Sequence, residues 1–345
     1  MSKNTVVSKW PIVGNRPIVD YLQKVVADDN PSHAYLFVGP KHIGKMTTAR
    51  YFISSLLCHG FHQRTKRNPS QIPCQQCNDC TRFQNNSHPD IYYVNKEEGK
   101  KDIVIEQIQQ LRYNLKMTSF YNSYKAGVIN KVELLNQSSV SALLKTLEEP
   151  TKNTIIILIA NNITKVPQTV ISRCQVFNFQ IVSTKEIESS LIDKGVSRET
   201  AHEMMHLSRG KPGLALRLYQ DPAELQNYRS NIEEFFELRQ QSLSEKIRFY
   251  HKFIGPKADF QTTVDKSIQF CQAWQLILRD LILAKLNHSS IVTNYFIFQK
   301  IESISKNLPL QRLYRENQQL LLTQKRLKQN VNPKLLIENF LINLP

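Results

Sequence analysis

The stretch Ala34-Tyr35-Leu36-Phe37-Val38-Gly39-Pro40-Lys41-His42-Ile43-Gly44-Lys45 decides how the rest of the chain is read. Five apolar residues predict a strand; glycine, a four-residue arc, glycine and lysine follow, and then a helical run. This is the order of a phosphate-binding P-loop, whose backbone N–H groups converge on an anion at a helix N-terminus while the lysine adds a point charge. Gly39, Gly44 and Lys45 are therefore candidate nucleotide-binding residues. The next position departs from the pattern. Met46 stands where a serine or threonine hydroxyl would ligate Mg²⁺, and a thioether is a poor ligand for a hard cation. Thr47 is the nearest substitute, but it projects about 100° further round the helix. Phosphate binding is expected here, and ordinary Mg²⁺ handling is not.

Upstream, Ile18, Tyr21, Leu22 and Val25 predict a helix over Val13 to Ala27, and downstream Ala49, Phe52, Ile53 and Leu56 predict one over Met46 to Leu57. Further strands are expected at Ile91 to Val94, Ala126 to Ile129, Thr154 to Ala160 and Gln175 to Phe179. The run Thr154 to Ala160 is apolar throughout, as a central parallel strand covered on both faces requires. Asn161 and Asn162 follow it, where ligand-sensing groups of open α/β sheets lie. The strand ending at Ile129 is followed by Asn130 and Lys131. A P-loop ATPase places an aspartate and a glutamate there, one supporting Mg²⁺ and the other polarising the attacking water. A neutral amide and a cation do neither, so hydrolysis by this chain alone is not expected.

Cys58, Cys74, Cys77 and Cys80 lie in or beside a polar, loop-like insertion. The C-x2-C-x2-C spacing with Cys58 as fourth ligand points to a tetrahedral, structural Zn²⁺ site; His59 or His62 could take the fourth position instead. Four protein ligands leave no open coordination position for catalysis. Cys174 and Cys271 read as buried thiols, and His88 beside Pro89 as a turn residue. The formal charge of +16 favours an anionic partner such as nucleic acid, although a lysine-rich solvated surface accounts for it equally. No run approaches the roughly 18 apolar residues of a membrane span, and Met1 to Lys9 lacks an apolar core, so a soluble cytoplasmic protein is expected.

Ser141-Ala-Leu-Leu-Lys-Thr-Leu-Glu-Glu-Pro150, followed after a strand by Ser172-Arg173-Cys174, resembles the signature of the clamp-loader branch of AAA+ proteins. The four-cysteine insertion is similar to that of its bacterial members. Within the branch, the weakened P-loop, the positions 130 and 131 and the start His88-Pro89-Asp90 resemble the delta prime family of DNA polymerase III subunits. The resemblance is strongest over residues 10–220. It implies that Arg173 is an arginine finger reaching a neighbouring subunit's ATP site. It also implies a hetero-oligomeric ring with gamma/tau-type motor subunits and a delta subunit, acting on the sliding clamp and primed DNA. Gly213, in Gly210-Lys-Pro-Gly213, stands where an active motor would carry a γ-phosphate-sensing arginine.

The expected fold is α/β: an AAA+ P-loop domain with parallel sheet and zinc module (1–180, module 58–80), a helical lid (181–225) and an all-helical collar (226–345). The collar's last helix has a clear start signal in Asn332 and Pro333. The expected role is a ring subunit that holds ATP or ADP without hydrolysing it. Two other classes fit parts of the sequence. One is a divergent gamma/tau-type motor ATPase, which Asn130 and Lys131 oppose; the other is a zinc-bearing DNA repair or recombination protein, which the paired signature motifs oppose.

Overall fold

Five parallel strands, β1 (Ala34–Val38), β2 (Ile91–Val94), β3 (Lys125–Asn130), β4 (Thr154–Ala160) and β5 (Gln175–Asn178), form one sheet in the order β2-β3-β4-β1-β5. This computed structural model describes residues 10–59, 73–100, 102–120, 123–239, 241–256, 258–327, 329 and 331–343. β1 lies between β4 and β5, with Leu36 opposite Leu158 on one side and Val176 on the other. All residues of β1 and β4 are buried, as strands covered on both faces must be.

The two faces divide by side-chain type. Ala34, Leu36, Ile156 and Leu158 meet Leu111, Leu115, Leu143 and Leu147 from the helices Ile105–Lys116 and Gln137–Glu148. Tyr35 and Phe37 point the other way and pack edge-on or stacked against Phe52, Phe177 and Phe179. Burying each such side chain contributes about 1.5–3 kcal/mol, which makes the frame beneath the P-loop stiff. Lys125 is buried at the start of β3, where its ammonium donates to the carbonyls of Asn114 and Met117 at the end of Ile105–Lys116. A cation there complements the negative end of the helix dipole.

The chain divides into two compact units, residues 1–190 with 210–214, and residues 191–209 with 215–345. The stretch 181–225 contributes to both. The second unit is all-helical. Its longest helix, Phe260–Lys285, carries Phe270, Cys271, Trp274, Ile277 and Leu281 into a core with Phe235, Tyr250, Leu320 and Phe340. Asp280, buried on the same helix, accepts from the backbone N–H groups of Thr293 and Asn294 and fixes that turn. The last helix, Pro333–Ile342, starts as its sequence predicts: the Asn332 side chain accepts from Lys334 N and Leu335 N.

Most element boundaries differ from expectation by one to three residues. The first helix begins at Arg16, because Gly14 and Asn15 are both left-handed and Pro17 stands in its first turn. Among the described residues, no helix is long and apolar enough to cross a membrane.

Candidate functional site

β1 delivers the chain to Gly39, whose amide donates to Ala160 O at the end of β4. A β-carbon at Gly39 would sit 2.5 Å from Phe179 O, so no other residue fits. The loop turns through His42 and Gly44, both at positive φ, and opens into the helix Lys45–Leu56. That helix has no acidic residue in its first turn and begins with a lysine. Its positive end therefore carries extra positive charge, an arrangement suited to an anion and otherwise unfavourable.

Lys45 is 5% exposed. Its ammonium donates to the carbonyls of Gly39 and Pro40 and, at 3.4 Å, to Asn161 Oδ1. Burial pushes its pKa down to about 8, with Glu133 acting against that shift and Lys41 adding to it. Asn161 Nδ2 donates to Glu133 Oε1 at 2.8 Å, and Asn161 N donates to the same oxygen at 3.1 Å. Lys45, Asn161 and Glu133 thus form one chain of polar contacts from the P-loop across the end of β4. Glu133 was not among the residues its sequence context singles out. The only signal is an acidic residue three positions past Asn130, and its partner lies 28 residues away.

Met46 is half-buried and Thr47 is exposed, while Thr48 spends its hydroxyl on Gly44 O. Asn130 is tied to Asn95 Oδ1 at 3.1 Å, and Lys131 takes a left-handed conformation at the start of the turn Val132–Leu134. Gly213 reaches the P-loop itself: its amide donates to His42 O at 2.9 Å, and a β-carbon there would lie 2.8 Å from that oxygen. Backbone contact this close leaves no room for an arginine.

Arg173 follows the short helix Gln168–Ile171. Its guanidinium pairs with Glu148 Oε1 at 2.7 Å and donates to Thr169 O at 2.9 Å, leaving the side chain about one-third exposed. Glu148 is the first glutamate of the Leu-Glu-Glu-Pro segment, so two separate motifs meet in this pair. Cys174 is half-buried rather than buried, and burial raises its thiol to about 12, as it does for the buried Cys271.

The ligand atoms of Cys58, Cys74, Cys77 and Cys80 all lie within 4.8 Å of one another. Cys74 Sγ and Cys80 Sγ are 3.9 Å apart, close to the roughly 3.8 Å edge of a tetrahedron with metal–sulfur bonds of about 2.3 Å. The amides of Cys74 and Cys77 donate to Cys58 Sγ and Cys74 Sγ, each at 3.4 Å. His59 is exposed and not part of the cluster; His62 lies outside the described residues. The donor set fits a soft, tetrahedral cation. His88 is buried beside the cluster, its Nε2 3.8 Å from Asp79, and its Nδ1 accepts from Asp90 N, so the residue expected in a turn joins β2 to the cysteine module.

A parallel sheet in this strand order, with a P-loop after β1 and a polar side chain at the end of β4, defines a P-loop subunit of the AAA+ class. Two family models match the chain: "DNA polymerase III, delta subunit" over residues 14–183 and "DNA polymerase III, delta subunit, C terminal" over residues 265–345. The DNA polymerase III subunit delta' of Bacillus subtilis is 26% identical over 95% of this chain and 95% of its own length. The subunit tau of the same organism is 32% identical over 51% of this chain and 30% of its own. The subunit delta' of Pseudomonas aeruginosa is 30% identical over 54% of this chain and 56% of its own. Among solved structures, a gamma subunit-related protein of Thermotoga maritima aligns over 94% of this chain and 97% of its own, at 15% identity and a TM-score of 0.41. The chain belongs to the family of DNA polymerase III clamp-loader subunits.

Proposed function

We propose that this chain is a delta prime type subunit that completes a hetero-oligomeric clamp-loader ring without hydrolysing ATP itself. The observation that carries this reading is the P-loop pocket. Its backbone and Lys45 are intact, yet Met46, Asn130, Lys131 and Gly213 occupy the positions where Mg²⁺ handling, water activation and γ-phosphate sensing would need other groups. Gly39, Gly44, Lys45 and Thr47 then hold ATP or ADP as a structural ligand. Arg173 serves a motor subunit of the gamma/tau type next to it, where a guanidinium neutralises charge developing on the γ-phosphate. Delta and motor subunits are its partners in the cytoplasm, and the assembled complex acts on the sliding clamp and primed DNA through phosphate-directed contacts. The three-part division at about 180 and 225 separates the P-loop domain, the lid and the ring-forming collar.

Reconstitution with the partner subunits tests this. Arg173→Ala is expected to lower single-turnover ATP hydrolysis at the neighbouring site by on the order of 10³-fold. Unchanged DNA-stimulated hydrolysis and clamp loading would end the finger assignment. The similarity to tau keeps a divergent motor as the second reading; it requires hydrolysis by the isolated chain that Lys45→Ala abolishes. The cysteines hold a structural Zn²⁺ in this reading, so metal analysis should find one zinc per chain, lost in Cys77→Ser. A metal-free, fully folded wild type would refute it.

A further inference from the structure

The helical unit holds a largely buried knot of charge, open to solvent at Arg312, that none of the activities above uses. Arg239 caps the helix Pro222–Leu238, Lys246 lies one turn into Leu243–Ile254, and Arg312 and Glu316 stand one turn apart on Leu310–Leu327. Arg239 Nη2 binds Glu316 Oε1 at 2.6 Å. Arg312 Nε stands 3.6 Å from the same oxygen, too far for a hydrogen bond. The side chains of Arg239 and Glu316 are 7% and 3% exposed, whereas that of Arg312 is 39% exposed with only its Nε enclosed. Lys246, 5% exposed, feels the charges of Arg239, Glu316 and Arg312. Among the described residues, the cluster therefore sets three cations against one carboxylate.

The donors are also left over. Among the described residues, Arg239 Nη1 and Arg312 Nε are buried with no acceptor, and no hydrogen bond of Lys246 Nζ is seen either. Buried charges in folded proteins are paired, and buried donors are satisfied. Two of the cations lie near the positive ends of their helices, where the dipole repels them. Glu316 Oε2 also lacks a partner. If Lys246 closed onto it, the surplus of positive charge would be unchanged.

We propose that Arg239, Lys246 and Arg312 form a binding site for a single small oxyanion, a carboxylate or a phosphate-type group, with Glu316 positioning Arg239 to receive it. Two guanidinium planes and an ammonium match paired oxygens. The occupant is either a dissolved oxyanion or an acidic side chain of a neighbouring chain.

Selenate is the probe, used on the full chain carrying Lys45→Ala so that the P-loop does not compete. Calorimetry should show selenate binding, and anomalous diffraction should place the selenium between Lys246 and Arg312. Adding Lys246→Met removes one charge-assisted hydrogen bond and should weaken binding about tenfold or more. Thermal melting in chloride verifies that this variant is folded, and Arg312→Gln provides an independent second removal. Absence of selenate uptake, or uptake indifferent to both substitutions, overturns the proposal. With the partner subunits present, an acidic side chain as occupant makes selenate weaken assembly of the Lys246 chain and not of Lys246→Met. A dissolved ion as occupant leaves assembly equal in both. That last arm rests on the ring reading and the selenate arm does not, so the two can fail separately.

Discussion

Lys45 and Lys246 are equally buried, each 5% exposed, and their surroundings are opposite. Lys45 is met by two backbone carbonyls and Asn161, with Glu133 behind them. Lys246 is met by two arginines and shares one carboxylate with them. In both cases burial lowers the lysine's pKa, but only the first lysine is compensated within its own unit. A buried cation that the fold surrounds with acceptors is finished, whereas one surrounded by other cations is half of an interaction.

The largest effect expected from this contrast is at Glu316. Glu316→Gln leaves the buried Arg239 and Lys246, and the part-exposed Arg312, without a counter-charge and should cost about 3–5 kcal/mol, read as a fall in the urea midpoint. A fall of less than about 1 kcal/mol would mean that water already screens the cluster. The two lysines should then part in sign. Lys45→Met removes the donor from three acceptors and should destabilise by about 1–3 kcal/mol. Lys246→Met removes a surplus cation and should stabilise by about 1 kcal/mol in chloride. Equal signs would break the comparison.

The last effect is in pH. The Lys45 pKa falls from 10.5 to about 8 on folding, so between those values the unfolded chain holds a proton that the folded chain has released. Its contribution to stability therefore rises with pH across about 8 to 10.5. Glu133 acts to keep the proton on, so Glu133→Gln should shift the midpoint of Lys45 acylation by a pH-jump reagent to lower pH. A midpoint that stays near 10.5 in the wild type would show that Lys45 is far more hydrated than its contacts imply.

What the sequence made legible follows the same divide. The P-loop, the cysteine spacing and the Ser172-Arg173-Cys174 turn are local patterns, and their residues lie together as those patterns suggest. Glu133 reaches Asn161 across 28 residues, and Arg173 reaches Glu148 across 25, so each pair exists only once β3, β4 and their helices are assembled. The charge knot is harder still. Arg239, Lys246 and Glu316 come from three helices, and each alone reads as a solvated helix charge; the Arg239–Glu316 bond spans 77 positions. The helix starts were legible to within a turn, and the shift at Arg16 came from backbone conformations at Gly14 and Asn15 that side-chain periodicity does not report.

Gly213 donates its backbone amide to the backbone carbonyl of His42, with no side chain between them. An arginine in that position would touch the outermost phosphate and would therefore distinguish a triphosphate from a diphosphate. A peptide group bonded to a peptide group makes the same contact whichever nucleotide lies in the loop. The segment is latched but blind, which is what the proposed non-hydrolysing role asks of it: one shape kept through the neighbours' cycle, as the frame of a clock stays still while the escapement moves.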